Sequence, residues 1–281
     1  SSGKGVIPMM LGSDEMERYD RQIILPEIGR NGQKKLAESK VLVIGAGGLG
    51  SPAALYLAAA GVGYIGIADG DVVSLSNLQR QILHRQVRLG ENKAASAKKA
   101  LQELNQNIFV QAYPFYLQDE NILKIVQEYD FIIDASDRLE NKFLINDACV
   151  LIKKPFVHAG ILQFGGQIMT YVPGEGPCFR CIFEDMPEEA PPSCAQAGIM
   201  GTIGGVAGSL EAMEAIKYLL NIGTLLTGKM LTFDCLTMQF RMVSFDQTSN
   251  FCRVCGKHAD IQDLSWYRIY RKKNGQGGCN L

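Results

Sequence analysis

Four cysteines stand in two pairs whose spacing suits a metal ion. Cys178 and Cys181 form one C-x-x-C pair, and Cys252 and Cys255 form a second one much later in the chain. Four thiolates in two such pairs are the usual ligands of a tetrahedral structural Zn²⁺ site, with Zn–S distances near ~2.3 Å. A thioredoxin-type redox centre would need one pair, so the sequence predicts zinc. Because four sulfur ligands leave no open coordination position, we expect a structural site.

Among the other cysteines, Cys194 has a context that suggests reactivity. It follows the acidic, proline-rich stretch 184–192, which we interpret as a crossover loop, and precedes the glycine-rich segment 197–208. A cysteine near the start of a helix can have a lowered pKa and act as a nucleophile, although a bystander role stays open. Cys149 and Cys235 lie in apolar segments and are predicted to pack in the core.

A glycine-rich motif predicts a phosphate-binding loop. The β-branched run Val41–Ile44 precedes it, and a small-residue helix follows. Its glycines let the backbone approach a pyrophosphate, while amide N–H groups and the helix dipole supply positive potential. The next strand, Tyr64–Ala68, ends at Asp69, which is placed to accept hydrogen bonds from ribose hydroxyls, whether of ATP or of NAD. The glycines are Gly45, Gly47, Gly48 and Gly50.

Several cations follow this unit in a chain whose charge is otherwise balanced. Arginine offers a fork and lysine a point charge to triphosphate oxygens, so these side chains could clamp a triphosphate. The alternative is an ordinary charged helix face. The residues concerned are Arg80, Arg85, Arg88 and Lys93.

An acidic residue follows another buried strand. Phe131–Asp134 is apolar up to its last residue, and Asp137 comes shortly after it. Ligands of open α/β sheets sit at the carboxyl ends of the strands, where a carboxylate beside a triphosphate is a natural Mg²⁺ ligand. The alternative for Asp137 is an N-cap on the helix predicted over 139–150. We interpret His158, in a further strand, as a satisfied core residue rather than a catalyst.

Length, net charge and cysteine content limit the classes of protein to which this chain can belong. The 281 residues suffice for one large α/β domain or two small ones, and the net charge of −1 gives no reason to expect nucleic acid or a membrane surface as a partner. The N-terminal segment lacks the apolar core of a signal peptide, so we expect a cytoplasmic protein. Eight cysteines in such a chain indicate metal binding or catalysis more than disulfides.

The elements that must position these residues alternate between helices and strands. Residues 41–68 lack charge, but their glycines argue against a membrane helix. Further helices are predicted over 14–40 with an interruption at Pro26, 92–105, 118–128, 139–150 and 209–220. Further strands are predicted over 108–113, 155–160, 165–172, twice within 229–246, and as an edge strand over 266–271.

The chain resembles the ThiF/MoeB/HesA family, bacterial relatives of the ubiquitin-activating enzymes. The resemblance covers about Glu17 to Gly256, and the order of its motifs makes it specific. The matching segments are RYDRQI (18–23), GAGGLG (45–50), DGDVVSLSNLQRQ (69–81), ENKA (91–94), DASD (134–137), LINDACV (144–150), FGGQ (164–167), both cysteine pairs, and CAQAG before GSLEAMEAIK (208–217).

This resemblance implies a function. Family members use Mg-ATP to adenylate the C-terminal glycine of a small ubiquitin-like sulfur carrier, in thiamin or molybdopterin biosynthesis. It implies that Arg21 reaches the ATP site of the other protomer of a homodimer, and that Cys194 lies where sulfur transfer or a carrier adduct can occur. It also implies nucleotide and Mg²⁺ contacts by Gly45, Gly47, Gly48, Gly50, Asp69, Asp71, Asn77, Arg80, Gln81, Lys93 and Asp137, and zinc ligation by Cys178, Cys181, Cys252 and Cys255.

The expected architecture is one continuous α/β domain of this type. A helical arm (1–40) precedes a Rossmann-like ATP-binding part (41–172) with a mainly parallel sheet. Residues 173–281 would add the zinc knuckle, the crossover loop and antiparallel strands. Arg138 and Lys142 stand where relatives commonly have Asn and Arg, and no rhodanese-like segment follows the second cysteine pair to supply persulfide.

Three other functions stay open at this point. Adenylation of a different peptide or of a tRNA-bound group would use the same ATP site. An NAD-dependent oxidoreductase is supported by the glycine motif alone, and pyrophosphate release from ATP would exclude it. A non-catalytic scaffold that binds a carrier is kept open by Arg138.

Overall fold

A single mixed sheet forms the centre of the molecule. The computed structural model describes residues 12–183, 197–245 and 248–268. Eight strands lie in the order β3-β2-β1-β4-β5-β6-β7-β8, with the first five parallel and the last three antiparallel to their neighbours. The strands are β1 (Lys40–Ile44), β2 (Tyr64–Ala68), β3 (Phe109–Tyr113), β4 (Phe131–Asp134), β5 (Phe156–Leu162), β6 (Gly165–Tyr171), β7 (Lys229–Asp234) and β8 (Gln239–Ser244).

Helices cover both faces of this sheet and bury one apolar core on each. One core joins β1, β2 and β4 to α3, α4, α5 and α9, and the other lies under α6, α7 and α8. This confirms the predicted α/β class and its antiparallel continuation. The helices are α1 (Ser13–Arg18), α2 (Asp20–Ile23), α3 (Gly29–Glu38), α4 (Gly50–Ala60), α5 (Lys93–Leu104), α6 (Ile122–Val126), α7 (Leu139–Leu151), α8 (Phe179–Phe183) and α9 (Gly201–Leu220).

The register of the central strands brings three chain segments to one edge. Ile44 at the end of β1 pairs with Ala68 on one side and with Asp134 on the other. The loops that follow β1, β2 and β4 therefore start side by side. In a doubly wound sheet, this is the edge at which a ligand is bound.

Helix α9 begins eight residues before the predicted start at Ser209. The sequence prediction left the glycine-rich segment 197–208 outside the helix, but its glycines let α9 approach the glycine loop closely. A Cβ built on Gly204 would lie 2.5 Å from the Gly48 carbonyl oxygen. A side chain has no room there, so the glycine is required by the contact rather than by a turn.

Other boundaries also differ from the predictions. The N-terminal arm is interrupted around Pro26 as predicted, but it has a second break at Tyr19 and so forms three short helices, and the helix expected over 118–128 is reduced to α6. The edge strand predicted over 266–271 is wrong where it can be checked, because residues 265–268 are helical. Within the described ranges, no helix is both long and apolar enough to span a membrane.

Candidate nucleotide cleft and metal centre

A cavity of about 850 Å³ opens at the carboxyl ends of β1, β2 and β4. We call its polar half the nucleotide cleft. Gly45, Gly47 and Gly48 line it, together with the charged or amide side chains of Asp69, Asp71, Arg80, Gln81, Lys93 and Asp137. Cavities of this size accommodate cofactor-sized ligands.

Asp69 is fixed by the backbone around it. Its Oδ2 accepts the Ala46 N–H at 2.8 Å, and its Oδ1 accepts the Asp71 N–H at the same distance. Burial raises the pKa of this carboxyl, and the nearby Lys93 acts in the opposite direction. Each carboxylate oxygen has a second lone pair, so Asp69 can hold the loop and still accept a hydrogen bond from a ligand hydroxyl.

His84 holds the same residue, Ala46, through its carbonyl group. Its Nε2 lies 2.8 Å from the Ala46 carbonyl oxygen, and its Nδ1 lies 2.9 Å from Ser96 Oγ. A carbonyl can only accept, so Nε2 carries the proton and Nδ1 accepts from the hydroxyl. Burial lowers the pKa of His84, which favours this neutral form. The sequence analysis missed this residue.

Arg80 is presented to the cleft by a network of local contacts. Its Nη2 donates to Asn77 Oδ1 at 3.1 Å, and its Nη1 donates to the Ser76 carbonyl at 3.3 Å. Asn77 itself does not line the cavity, so within the described residues it orients Arg80. The buried Gln81 lines the cleft beside it.

Two of the four predicted clamp residues point elsewhere. Arg88 is buried against α5, where it pairs with Glu103 and donates to the Ser96 carbonyl at 3.1 Å. Arg85 donates to the Ile82 carbonyl at 2.8 Å and does not line the cavity. The clamp hypothesis is therefore wrong for Arg85 and Arg88, because these side chains bind backbone and α5.

Lys93 and Asp71 form an ion pair inside the cleft. The Lys93 ammonium lies 3.1 Å from Asp71 Oδ2, with the lysine side chain 5% exposed. The Tyr116 hydroxyl donates to the other oxygen, Asp71 Oδ1. Although burial acts to raise it, the pKa of Asp71 is lowered by the Tyr116 hydroxyl and by Lys93. The sequence analysis missed Tyr116, although an aromatic run at the end of β3 marks a strand end near the crevice.

Asp137 stands at the opening of the cleft with an exposed carboxylate. The N-cap of α7 is Arg138, which makes no side-chain cap hydrogen bond, so the capping role considered for Asp137 is wrong. No group in the described ranges donates a hydrogen bond to the Asp137 carboxylate. An uncommitted carboxylate at the end of a strand suits a hydrated Mg²⁺ ion.

A buried ion pair underlies the cleft. Lys142 Nζ donates to the Ala159 carbonyl at 2.7 Å and lies 3.7 Å from Asp134 Oδ2. His158 Nδ1 lies 2.9 Å from the same oxygen. Against the effect of burial, Lys142 and His158 lower the pKa of Asp134 to about 2. Burial and Lys142 lower the pKa of His158 to about 4, as expected for a satisfied core residue.

The second half of the cavity is an uncharged arm along β5 and β6. Its lining residues are Gly160, Ile161, Leu162, Gly165, Gly166, Gln167, Phe183, Ile199 and Thr232. The tip of this hairpin is tied to segment 198–200, because the Gln163 N–H donates to the Gly198 carbonyl at 3.1 Å and the Gln163 carbonyl accepts from the Met200 N–H at 3.0 Å. The arm is apolar except for backbone groups, Gln167 and Thr232.

The two cysteine pairs meet in one cluster, which we call the zinc knuckle. The sulfur of Cys178 lies 3.9 Å from Cys181, 3.6 Å from Cys252 and 3.4 Å from Cys255. A tetrahedron with Zn–S distances of ~2.3 Å has sulfur–sulfur edges of about 3.8 Å. The four thiols therefore fit a zinc ion, and this metal would be structural because it has no open position.

Arg180 connects the knuckle to α7. It is fully buried, and its Nε and Nη2 donate to the two oxygens of Asp147 at 2.7 and 2.9 Å. Tyr267 OH donates to the same carboxylate, and Phe143 and Trp266 lie 4.5 and 5.0 Å from the guanidinium carbon.

Comparison with known proteins gives the family. The model of the ThiF family matches residues 19–254. The chain belongs to the ThiF family.

Named ThiF relatives include adenylyltransferases. A sulfur carrier protein adenylyltransferase of Thermus thermophilus is 45% identical over 263 residues, which is 92% of this chain and 97% of the relative. Adenylyltransferase and sulfurtransferase MOCS3 of Drosophila ananassae is 42% identical over 267 residues, 95% of this chain. The chain spans 59% of the length of that MOCS3.

Solved structures agree with the fold. The crystal structure of E. coli MccB with ATP is 26% identical with a TM-score of 0.74, covering 85% of this chain and 74% of MccB. MccB with MccA-N7isoASN has a TM-score of 0.75 over 85% of this chain and 74% of MccB, at the same identity.

Two further residues inferred from the ThiF resemblance, Gly50 and Arg21, do not line the cleft. Gly50 faces the backbone of Gly45, where a Cβ would overlap the carbonyl oxygen, so it serves loop packing. Arg21 lies outside this chain's own cavity, with an 89% exposed side chain that pairs with Asp20. Cys194 lies outside the described residues. Cys149 is buried and Cys235 half-buried, as predicted for packing residues.

Proposed function

We propose that this protein adenylates the C-terminal glycine of a small ubiquitin-like sulfur carrier and releases pyrophosphate from ATP. One observation carries the proposal: a single cavity joins a charged nucleotide cleft to an uncharged arm along β5 and β6. Two substrates can meet where the halves join. The Thermus relative is named for this reaction, and it matches almost the whole length of the chain.

The chemistry suits the residue types in the cleft. A terminal carboxylate has an intrinsic pKa near ~3.5, so it is ionised at neutral pH and needs no general base. One of its oxygens attacks the α-phosphorus, and the bond from that phosphorus to the bridging oxygen breaks as pyrophosphate leaves. Catalysis then consists of positioning and charge neutralisation. Lys93 and Arg80 are placed to supply the positive charge.

We propose further nucleotide contacts at the same edge of the sheet. The amide groups of the glycine loop would bind phosphate oxygens, and Asp69 would accept a ribose hydroxyl. Asp137 would hold Mg²⁺, which supplies positive charge to the phosphates when it is bound.

The arm suits a carrier tail without large side chains. A Cβ on Gly166 would meet the Phe233 ring at 2.7 Å and the Gly160 carbonyl at 2.9 Å. A strand-like tail with a terminal glycine can use the backbone groups of the hairpin and end at the α-phosphate. The hairpin side of the arm offers no charged side chain, which disfavours a charged residue packed against it.

The assembly and the compartment extend the proposal. Arg21 is proposed to reach the ATP site of a second copy in a homodimer, which its distance from this chain's cleft supports. Cys194 is proposed to take part in sulfur transfer after adenylation. The cysteines of the described residues are free thiols rather than disulfides, which supports a reducing compartment, and we propose the cytoplasm.

Pyrophosphate release is the decisive measurement. Mg-ATP is supplied with a ThiS-like carrier, with a MoaD-like carrier and without carrier, and NAD binding is measured in parallel. We expect release with one carrier, which names the pathway, and no NAD binding. Release with neither carrier would overturn the proposal.

An aspartate variant tests the metal role within the same assay. Asp137→Ala is expected to lower kcat/KM by about 100-fold or more, because one ligand of the phosphate-bound metal is lost. Asp14→Ala, an exposed aspartate at the N-terminal arm, is the control and should keep full activity. Full pyrophosphate release by Asp137→Ala would remove the Mg²⁺ role.

A further inference from the structure

A tyrosine on the outer wall of the nucleotide cleft contacts the aspartate segment 69–71 twice. The ring of Tyr116 occupies the space beside Gly70, where a Cβ would meet three ring atoms at 2.6–2.9 Å. Its hydroxyl donates to Asp71 Oδ1. The side chain therefore restrains both the backbone of this segment and the carboxylate at its end.

Segment 69–71 carries two groups that face the nucleotide. The Asp71 N–H donates to Asp69 Oδ1 at 2.8 Å, so the orientation of Asp69 depends on the position of the Asp71 backbone. On the other side, Lys93 is tied to Asp71 by its ammonium at 3.1 Å and by its backbone N–H, which donates to the Asp71 carbonyl at 2.8 Å. A shift of Asp71 would therefore displace Asp69 and Lys93 together.

The ion pair alone is a weak restraint. The side chain of Asp71 is 54% exposed, whereas that of Lys93 is 5% exposed. Water screens a half-exposed pair and leaves the aspartate free to change rotamer. A second donor on Oδ1 fixes the carboxylate plane, which orients Oδ2 toward the buried ammonium.

A neighbouring tyrosine provides the contrast. Tyr113, three residues earlier at the end of β3, has its hydroxyl 3.0 Å from that of Tyr129 and does not line the cavity. Both tyrosines bond a side chain through the hydroxyl. Of the two, Tyr116 alone bonds a residue of the cleft.

We propose that Tyr116 is a positioning residue of the ATP site, which acts through Asp71 to hold Lys93 and Asp69 for the nucleotide. The proposal rests on the ATP-dependent function proposed above. It assigns the hydroxyl to ATP binding and the ring to the conformation of segment 69–71. The proposed role is indirect, because the hydroxyl is already engaged by Asp71.

The test compares tyrosine-to-phenylalanine variants of the full chain. Pyrophosphate release is measured with ATP varied and carrier saturating, and ATP binding is measured by calorimetry without carrier. Tyr116→Phe is expected to raise KM and Kd for ATP about 5- to 10-fold with kcat changed less than about 2-fold. Tyr113→Phe is the matched control and should leave both constants unchanged. Thermal unfolding confirms that each variant is folded.

A double-mutant cycle tests the route through Asp71. In an Asp71→Ala background, Tyr116→Phe should have no further effect on the Kd for ATP, since the acceptor is gone. An unchanged KM and Kd in Tyr116→Phe, a lowered kcat alone, or full additivity with Asp71→Ala would each overturn the proposal. Failure of the wild-type chain to bind ATP would instead overturn the proposed function, and the positioning role with it.

Discussion

In the nucleotide cleft, charged side chains stand at the ends of strands and several remain in contact with water, including Asp137 and Arg138. Beside the zinc knuckle, Arg180 and Asp147 are completely enclosed with their charges paired, whereas water reaches the pair of Arg253 with Asp260. An unpaired charge in the cleft is available to a ligand. A buried charge next to the knuckle must be paired, because its desolvation would otherwise destabilise the fold.

This difference in burial predicts which variants should affect activity and which should affect stability. Exposed cleft residues such as Asp137 can be changed at little cost to folding, because water replaces what they lose. Residues near the knuckle cannot, since their partners would remain buried without them. The two regions meet in α7, whose first turn follows Asp137 and whose later turns contact Arg180.

The largest expected effect comes from the knuckle. Cys178→Ser removes one ligand from a site that joins residues 74 positions apart. We expect loss of bound zinc and a fall of about 5 kcal/mol or more in the free energy of unfolding, because metal binding is coupled to folding. Metal analysis and urea denaturation check this. Cys235→Ser, outside the cluster, should keep its zinc. Stoichiometric zinc in Cys178→Ser would contradict the assignment.

Breaking the link between the two regions comes next. Arg180→Met leaves Asp147 buried without its cation, and we expect a loss of about 3–5 kcal/mol in urea denaturation. The double variant Arg180→Met with Asp147→Leu should lose less than the single variant, because no charge remains unpaired. A double variant as unstable as the sum of both single changes would contradict this explanation.

The contact between α9 and the glycine loop gives an effect on the cleft side. Gly204→Ala would force the Gly48 carbonyl away, so we expect a loss of about 2–3 kcal/mol and weaker ATP binding. Gly205, the next residue of the same helix, has open space around its Cβ position. Gly205→Ala should therefore stabilise the protein by about 0.5–1 kcal/mol. Equal effects of the two variants would show that the close approach is unimportant.

The smallest expected loss of stability concerns pH. Because the folded-state pKa of His158 is lowered to about 4, the unfolded chain takes up this proton first as the pH falls below ~6.5. The contribution of His158 is present above that pH and is lost between about 6.5 and 4, amounting to about 2 kcal/mol between pH 7 and pH 5. Denaturation curves of wild type and His158→Asn at both pH values isolate it. An equal fall in the free energy of unfolding between pH 7 and pH 5 in wild type and in His158→Asn would falsify this assignment.

Local patterns predicted most of the fold correctly. β4 follows the bounds expected from its apolar run, and α5 begins after Asn92, which caps it by accepting from Ala95 N. The predicted helix was shorter than α9 because glycine has a low helix propensity. Propensity describes the residue alone and takes no account of a packing partner such as the Gly48 carbonyl. The division at 40 and 172 stays a prediction.

The candidate site was predicted less completely. Glycines and acidic residues at strand ends are recognisable because the chemistry requires them there, as with Asp69. The sequence does not show whether an arginine side chain faces the cleft. The side chain of Arg88 turns away from it because it pairs with Glu103 in α5. Tyr116 and His84 act through other residues, and such roles appear only when partners distant in sequence are brought together.

The separation of the two cysteine pairs has a consequence for biosynthesis. Cys178 leaves the ribosome before Cys252, from which it is 74 residues away. At ~5–20 residues per second, the first pair waits about 4–15 s for the second. During that interval the first two thiols can form only half of a metal site, while β1 to β6 are already synthesised. Completion of the knuckle therefore reports that translation has passed β8, and a truncated chain would be left without its metal.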